Sequence, residues 1–172
     1  MTKKDNSEEL LPQVDAEGRV LGPITRGQAH GPERPLHPVV HLHLFNCKGE
    51  LYLQHRPAWK DVQPDKWDTA VGGHIDWGED VQTALYREVR EEIGLDMEAL
   101  KLEPAKITSY VFECQREREL VNVYKLVTDI APSPSDELDG GRFFSREELL
   151  KRMDTGFFTP NFEQEWKRLF EF

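Results

Sequence analysis

The sequence predicts an α/β fold, an α/β/α sandwich whose mixed β-sheet lies between helices. Three observations predict it. Short runs rich in β-branched and aromatic residues stand on both sides of one long amphipathic segment at residues 79–93. The C-terminal third holds two more segments that open with helix-start chemistry. Strands, one helix, strands and then helices is an order that layers helices over a mixed sheet. A chain of 172 residues suits one domain with a sizeable core. The expected organisation is a disordered N-terminus over residues 1–8 and a single domain over 9–172.

Taken in order, residues 9–14 and 19–24 predict two short strands about the turn Asp15-Ala16-Glu17-Gly18. Residues 22–36, rich in Gly, Pro and charge, predict a surface loop. Residues 39–46 and 50–54 alternate apolar and polar about Cys47-Lys48-Gly49, which predicts a hairpin. A proline-bearing loop at 59–65 leads to a short strand at 67–71 and the turn Gly72-Gly73. A helix over 79–93 ends at Gly94, a residue suited to the left-handed conformation. Strands are expected at 106–114, 120–130 and 142–144. Ser145 with Glu148 three residues on predicts a capping box, and Pro160 opens a last helix through 162–170.

Charge excludes some functions. With 22 Lys and Arg against 32 Asp and Glu, the formal net charge is −10. A general nucleic-acid or membrane surface wants the opposite excess. No apolar run approaches the length of a membrane span, and the first residues lack the apolar stretch of a secretory signal. Cys47 and Cys114 form neither a metal spacing nor a disulfide framework. They are expected as small core residues in a reducing, cytoplasmic setting.

The helix over 79–93 carries the chemistry. At about 100° per residue, Val81, Ala84, Leu85 and Val89 fall on one side. Glu88 and Glu92 fall in that same sector, with Glu91 at its edge. Carboxylates on an inward face are costly unless paired or bound to a cation. Residues three and four apart are neighbours on a helix, so three like charges crowd together. A divalent cation relieves both problems, and a hard ion such as magnesium takes carboxylate oxygens together with substrate phosphates.

The spacing resembles a family signature. Gly73, five residues, Glu79, seven residues, Arg87-Glu88-Val89, one residue, Glu91-Glu92, one residue, Gly94-Leu95 is similar to the Nudix box at all nine positions. The resemblance implies the Nudix fold and hydrolysis of a diphosphate linkage in a small molecule, typically a nucleoside diphosphate linked to another group. It implies that Glu88, Glu91 and Glu92 hold Mg²⁺ or Mn²⁺. One of them, or an acid from another loop, acts on the water; Glu117, Glu119, Asp136, Glu137 and Asp139 are the loop candidates. Arg87 would fix the box carboxylates, and Gly73 would let backbone approach the substrate. Glu79 would stand at the helix start. A homodimer is a further expectation from the family.

Read on their own, Trp77 in the box loop and Lys66 before it are candidate substrate contacts, and Lys60 is a second basic candidate. Trp67 is expected in the core. Residues 157–161 form an aromatic cluster expected to anchor the last helix.

The front end resembles one branch of the family, isopentenyl-diphosphate isomerase, through VDAEGRVLGPITRGQAH, RPLHPVVHLHLFN, LYLQHR and KWDTAVGGHI. That isomerase uses a cysteine where this chain has Gly72, so its thiol acid–base chemistry is missing and hydrolysis is favoured. The branch also implies a second metal site at His30, His37, His74, Glu117 and Glu119, a donor set suited to manganese, zinc or iron. His41, His43 and His55 alternate along the hairpin and are expected as sheet-face residues.

Overall fold

The computed structural model describes residues 6–60 and 63–170. Its elements are β1 (Leu10–Val14), β2 (Val20–Thr25), α1 (Arg26–Ala29), β3 (His37–Phe45), β4 (Leu51–His55), β5 (Trp67–Thr69), β6 (Val71–His74), α2 (Val81–Ile93), β7 (Ala105–Glu113), β8 (Arg118–Val127), β9 (Gly141–Phe144), α3 (Arg146–Arg152) and α4 (Pro160–Leu169). Residues 1–5 of the expected disordered start lie outside the described residues; Asn6–Glu8 make a turn in which Asn6 accepts from the Glu8 and Glu9 amides.

β1 and β2 form a separate antiparallel hairpin. The main sheet runs β5-β4-β3-β8-β7, with β6 paired to β3 and β9 to β4. It is mixed: β3 and β8 are parallel over nine residue pairs, and the other pairings are antiparallel. Alternation along β3 sorts its side chains onto two faces. Val40, Leu42 and Leu44 pack against Ala84, Leu85, Val89 and Ile93 of α2. On the opposite face, Val39 joins Val121 and Val123 under Leu169 of α4. Leu51, Leu53 and Phe144 meet Phe158, Phe162 and Trp166 on that same side. These cores make the sandwich.

One detail of the sheet makes the site. β3 pairs with β4 only through Leu44 and Phe45, and with β6 from Val39 to Leu42. The two neighbours therefore share one edge of β3 and diverge, leaving a gap between β4 and β6.

Some local expectations change. The loop expected after residue 22 contains the rest of β2 and the short helix α1. Thr25 caps that helix, and Gln28 returns a bond to the Thr25 amide. The strand expected at 67–71 is two strands. The cysteines are not core residues. Cys47 sits exposed at the tip of the β3–β4 turn, its amide donating to Asp129 Oδ1 at 2.9 Å, and Cys114 is half-buried. Among the described residues, no helix is long and apolar enough to cross a membrane.

Candidate active site and metal centre

α2 starts at Val81, two residues later than the helix expected over 79–93. Asp80 is its cap, accepting the Thr83 amide at 2.7 Å, and Gly94 ends it in the left-handed conformation. Glu79 thus stands in front of the helix. It accepts the Asp76 amide at 3.0 Å and receives both Nε and Nη2 of Arg87, at 2.8 and 2.9 Å. Arg87 also donates to Glu88 Oε1 at 2.7 Å and to the His74 carbonyl at 3.1 Å, and reaches Glu91 at 3.5 Å. A planar guanidinium with several fixed donors can hold that many acceptors in one geometry.

Glu88 lies against Gly73 so closely that a Cβ there would sit 2.3 Å from its carboxyl carbon. Glu92 turns inward and accepts the Gly72 amide at 3.1 Å. Burial, and then the nearby Glu88 charge, push the Glu92 pKa well above the usual carboxylate range. Glu91 is exposed.

The gap between β4 and β6 forms a cleft of about 330 Å³. Glu92, Gly72, His41, Gln54, Asp68 and Asn161 line it, and Arg26, Arg56 and Lys60 bring basic charge. Glu137 is the one loop acid of the five candidates on this lining. The lining takes Lys60 rather than Lys66, whose carbonyl instead receives the Arg56 amide at 2.8 Å. Trp77 is also off this lining; its amide donates to the Leu10 carbonyl and its ring is exposed. Trp67 packs with Phe144 and Phe157 in the core beneath α4.

Beyond β6, three imidazoles and a carboxylate meet. His30, His37, His74 and Glu117 bring one ligand atom each to within 4.8 Å of one another. His30 Nε2 lies 3.0 Å from Glu117 Oε2. His37 donates Nδ1–H to the Pro35 carbonyl at 3.1 Å, and its buried Nε2 has no hydrogen-bond partner among the described residues. Burial lowers the pKa of His37 and, with Arg26 and the other two imidazoles, takes His74 down to about 3. Both rings are therefore neutral, the ligating form. Glu119 adjoins Glu117; burial and the Glu117 charge raise it to about 8.

A second polar cluster escaped the sequence reading. Glu165 of α4, buried beneath the sheet, accepts from His41 Nδ1 at 2.7 Å, His43 Nε2 at 2.9 Å and the Tyr110 hydroxyl at 2.9 Å. Burial disfavours charge on both Glu165 and His41. Their mutual attraction overrides it, holding Glu165 well below the usual carboxylate range and lifting His41 to about 9. His41 and His43 do lie on the sheet face, as expected, but as partners of a buried acid. His55 stacks on Trp67 and pairs with Asp65. The missed signal was a carboxylate at position 165, three residues after Phe162 and beside Trp166 on an apolar helix face.

The NUDIX domain model matches residues 35–162. The chain belongs to the Nudix family. A Nudix hydrolase of Deinococcus radiodurans is 33% identical over 159 residues, covering 87% of this chain and 86% of that protein. The crystal structure of DR0079 from Deinococcus radiodurans superposes with a TM-score of 0.79 at 27% identity, covering 94% of this chain and 99% of that one. An isopentenyl-diphosphate Delta-isomerase of Mycolicibacterium vanbaalenii is 34% identical over 93 residues, covering 54% of this chain and 51% of that protein. As a Nudix hydrolase the protein is an enzyme of the pyrophosphohydrolase class, in a family that uses divalent metals. Both donor sets suit such ions. The box offers hard carboxylates, one of them in a cradle that any Cβ on Gly73 would fill. The histidine cluster offers a borderline set with an orphaned, oriented lone pair on His37.

Proposed function

We propose that this Nudix enzyme hydrolyses a diphosphate linkage, of a nucleoside diphosphate joined to another group or a related pyrophosphate, with Mg²⁺ or Mn²⁺ held by Glu88, Glu92 and Glu91. The observation that carries this reading is the Arg87 hub. One guanidinium ties Glu79, Glu88 and the β6 carbonyl together beside Gly73, while Glu92 reaches the cleft. A bound divalent ion supplies charge neutralisation to the phosphates and acidity to a water. The chain's own residues do the rest. Arg26, Arg56 and Lys60 receive phosphate oxygens. Arg87 holds the box carboxylates in their rotamers. A bond forms from water oxygen to phosphorus as the bridging phosphorus–oxygen bond breaks, and the water's proton passes to a carboxylate. Glu91 and Glu137 are the two acceptors to test.

Glu88→Gln and Glu92→Gln are each expected to abolish phosphate release from a panel of nucleotide sugars, dinucleotides, nucleoside triphosphates and prenyl diphosphates, with the fold intact by circular dichroism. Turnover retained by either variant counts against the reading. Isomerisation of isopentenyl diphosphate is not expected, because Gly72 offers no thiol and both cysteines lie off the cleft lining. The reading includes a second centre at His30, His37, His74, Glu117 and Glu119 for manganese, zinc or iron, and a homodimer measurable as mass in solution.

A further inference from the structure

The His41–Glu165 pair is oriented in a way that packing alone does not require. Glu165 Oε2 receives both His41 Nδ1–H and the Tyr110 hydroxyl, and Oε1 receives His43 from behind. The acid is 1% exposed, whereas the His41 side chain is 18% exposed. The ring is thus pinned by its inner nitrogen and presents its outer edge to the cleft. A Cβ on Gly72 would lie 3.4 Å from Cδ2 and 3.7 Å from Nε2 of that ring. That outer edge therefore borders Gly72, whose own amide donates to Glu92. Asp68, Glu92 and Glu137 line the same cleft. A dianionic group entering it needs cations placed among those acids.

We propose that His41 is a substrate-binding residue whose Nε2–H donates to a non-bridging oxygen of the diphosphate, with Glu165 as the positioning residue that sets its ring and charge. This inference rests on the diphosphate reading above. It gives α4, which already lines the cleft through Asn161, a second tie to the substrate site, because Glu165 reaches the cleft through His41. His43 and Tyr110 complete the hydrogen bonding of the buried acid.

The probe is methylene diphosphonate, a non-hydrolysable diphosphate, titrated by calorimetry in the presence of Mg²⁺. His41→Gln is expected to weaken its binding about tenfold or more, the effect of one charge-assisted hydrogen bond, while Mg²⁺ affinity stays unchanged. Glu165→Gln is expected to weaken it less and to shift the His41 ring resonances toward the neutral pattern. In the wild-type protein, which needs no variant to fold, ¹⁵N spectra should show His41 Nε2 moving on saturation while His43 stays still. Binding by His41→Gln within twofold of wild type, or an unmoved His41 Nε2, overturns the proposal. Should Glu88→Gln lose the diphosphonate while His41→Gln keeps it, the diphosphate reading stands and this inference alone falls. Wild-type protein that fails to bind the probe at all overturns both.

Discussion

Replacing Gly73 by alanine adds one methyl group at a position where the backbone itself tolerates it, since Gly73 is not among the residues with positive φ. The added Cβ would lie 2.3 Å from the Glu88 carboxyl carbon and 2.5 and 2.7 Å from its oxygens. The three nearest atoms all belong to the Glu88 side chain, which must swing away. It then loses the 2.7 Å bond from Arg87, made between side chains only 13% and 19% exposed. A hydrogen bond between charged groups of that burial contributes roughly 1.5–3 kcal/mol. In a chain of this size that lowers the melting temperature by about 3–12 °C. If Glu88 holds the ion as proposed, the functional loss is expected to be larger, because misplacing a catalytic group by about 1 Å costs on the order of 100-fold in rate. Gly72→Ala is the matched control. Its Cβ meets His41 at 3.4 and 3.7 Å, ordinary contact, and leaves the Gly72 amide on Glu92. Calorimetric melting and an electron paramagnetic resonance titration with Mn²⁺ read both variants. The reasoning fails if Gly73→Ala holds Mn²⁺ as tightly as wild type, or if Gly72→Ala loses it equally.

The buried pair makes stability depend on pH in a stated direction. His41 has its folded pKa raised from 6.5 to about 9, so its contribution is complete below 6.5 and is lost as pH rises through 9. That amounts to on the order of 3 kcal/mol. Glu165 is shifted the other way, so its contribution is present above the usual 4.5 and is lost as acid is added below it. Melting temperatures should therefore fall between pH 6.5 and 9 in the wild type and fall less in His41→Gln; equal slopes would refute the assignment. The two proposed metal centres should separate by mutation. Protein grown metal-replete is expected to carry a transition ion by elemental analysis, lost in His74→Ala and kept in Glu88→Gln, and wild-type protein without one would remove the second centre.

The box helix was legible because two independent patterns, apolar periodicity and fixed acid spacing, coincide over residues 79–95. Ser145 and Pro160 were legible because cap chemistry is local. Thr25 and Gln28 carry the same kind of signal for α1, but it was hidden within a stretch dominated by Gly and Pro. The division of β3 between β4 and β6 depends on pairings remote in sequence, and no local rule specifies it. Glu165 obeys the very argument that singled out Glu88 and Glu92, an acid on an inward helix face. It went unread because its partners Tyr110, His43 and His41 lie 55, 122 and 124 residues away along the chain. Lys60 and Lys66 could not be ranked from spacing, because the loop that carries them turns between the two.

The family match spans residues 35–162, yet Arg26 and His30 precede it and Glu165 follows it. The matched span thus carries the acids of the box, while the preceding flank brings Arg26 to the cleft lining and His30 to the histidine cluster, and the following flank brings Glu165 to His41. A fragment trimmed to the matched span would keep Arg56, Lys60 and His41 but lose Arg26 and the buried acid that pairs with His41. For this chain, the perimeter of the cleft is wider than the perimeter of the matched span, and substitutions toward its two ends reach that cleft without touching α2.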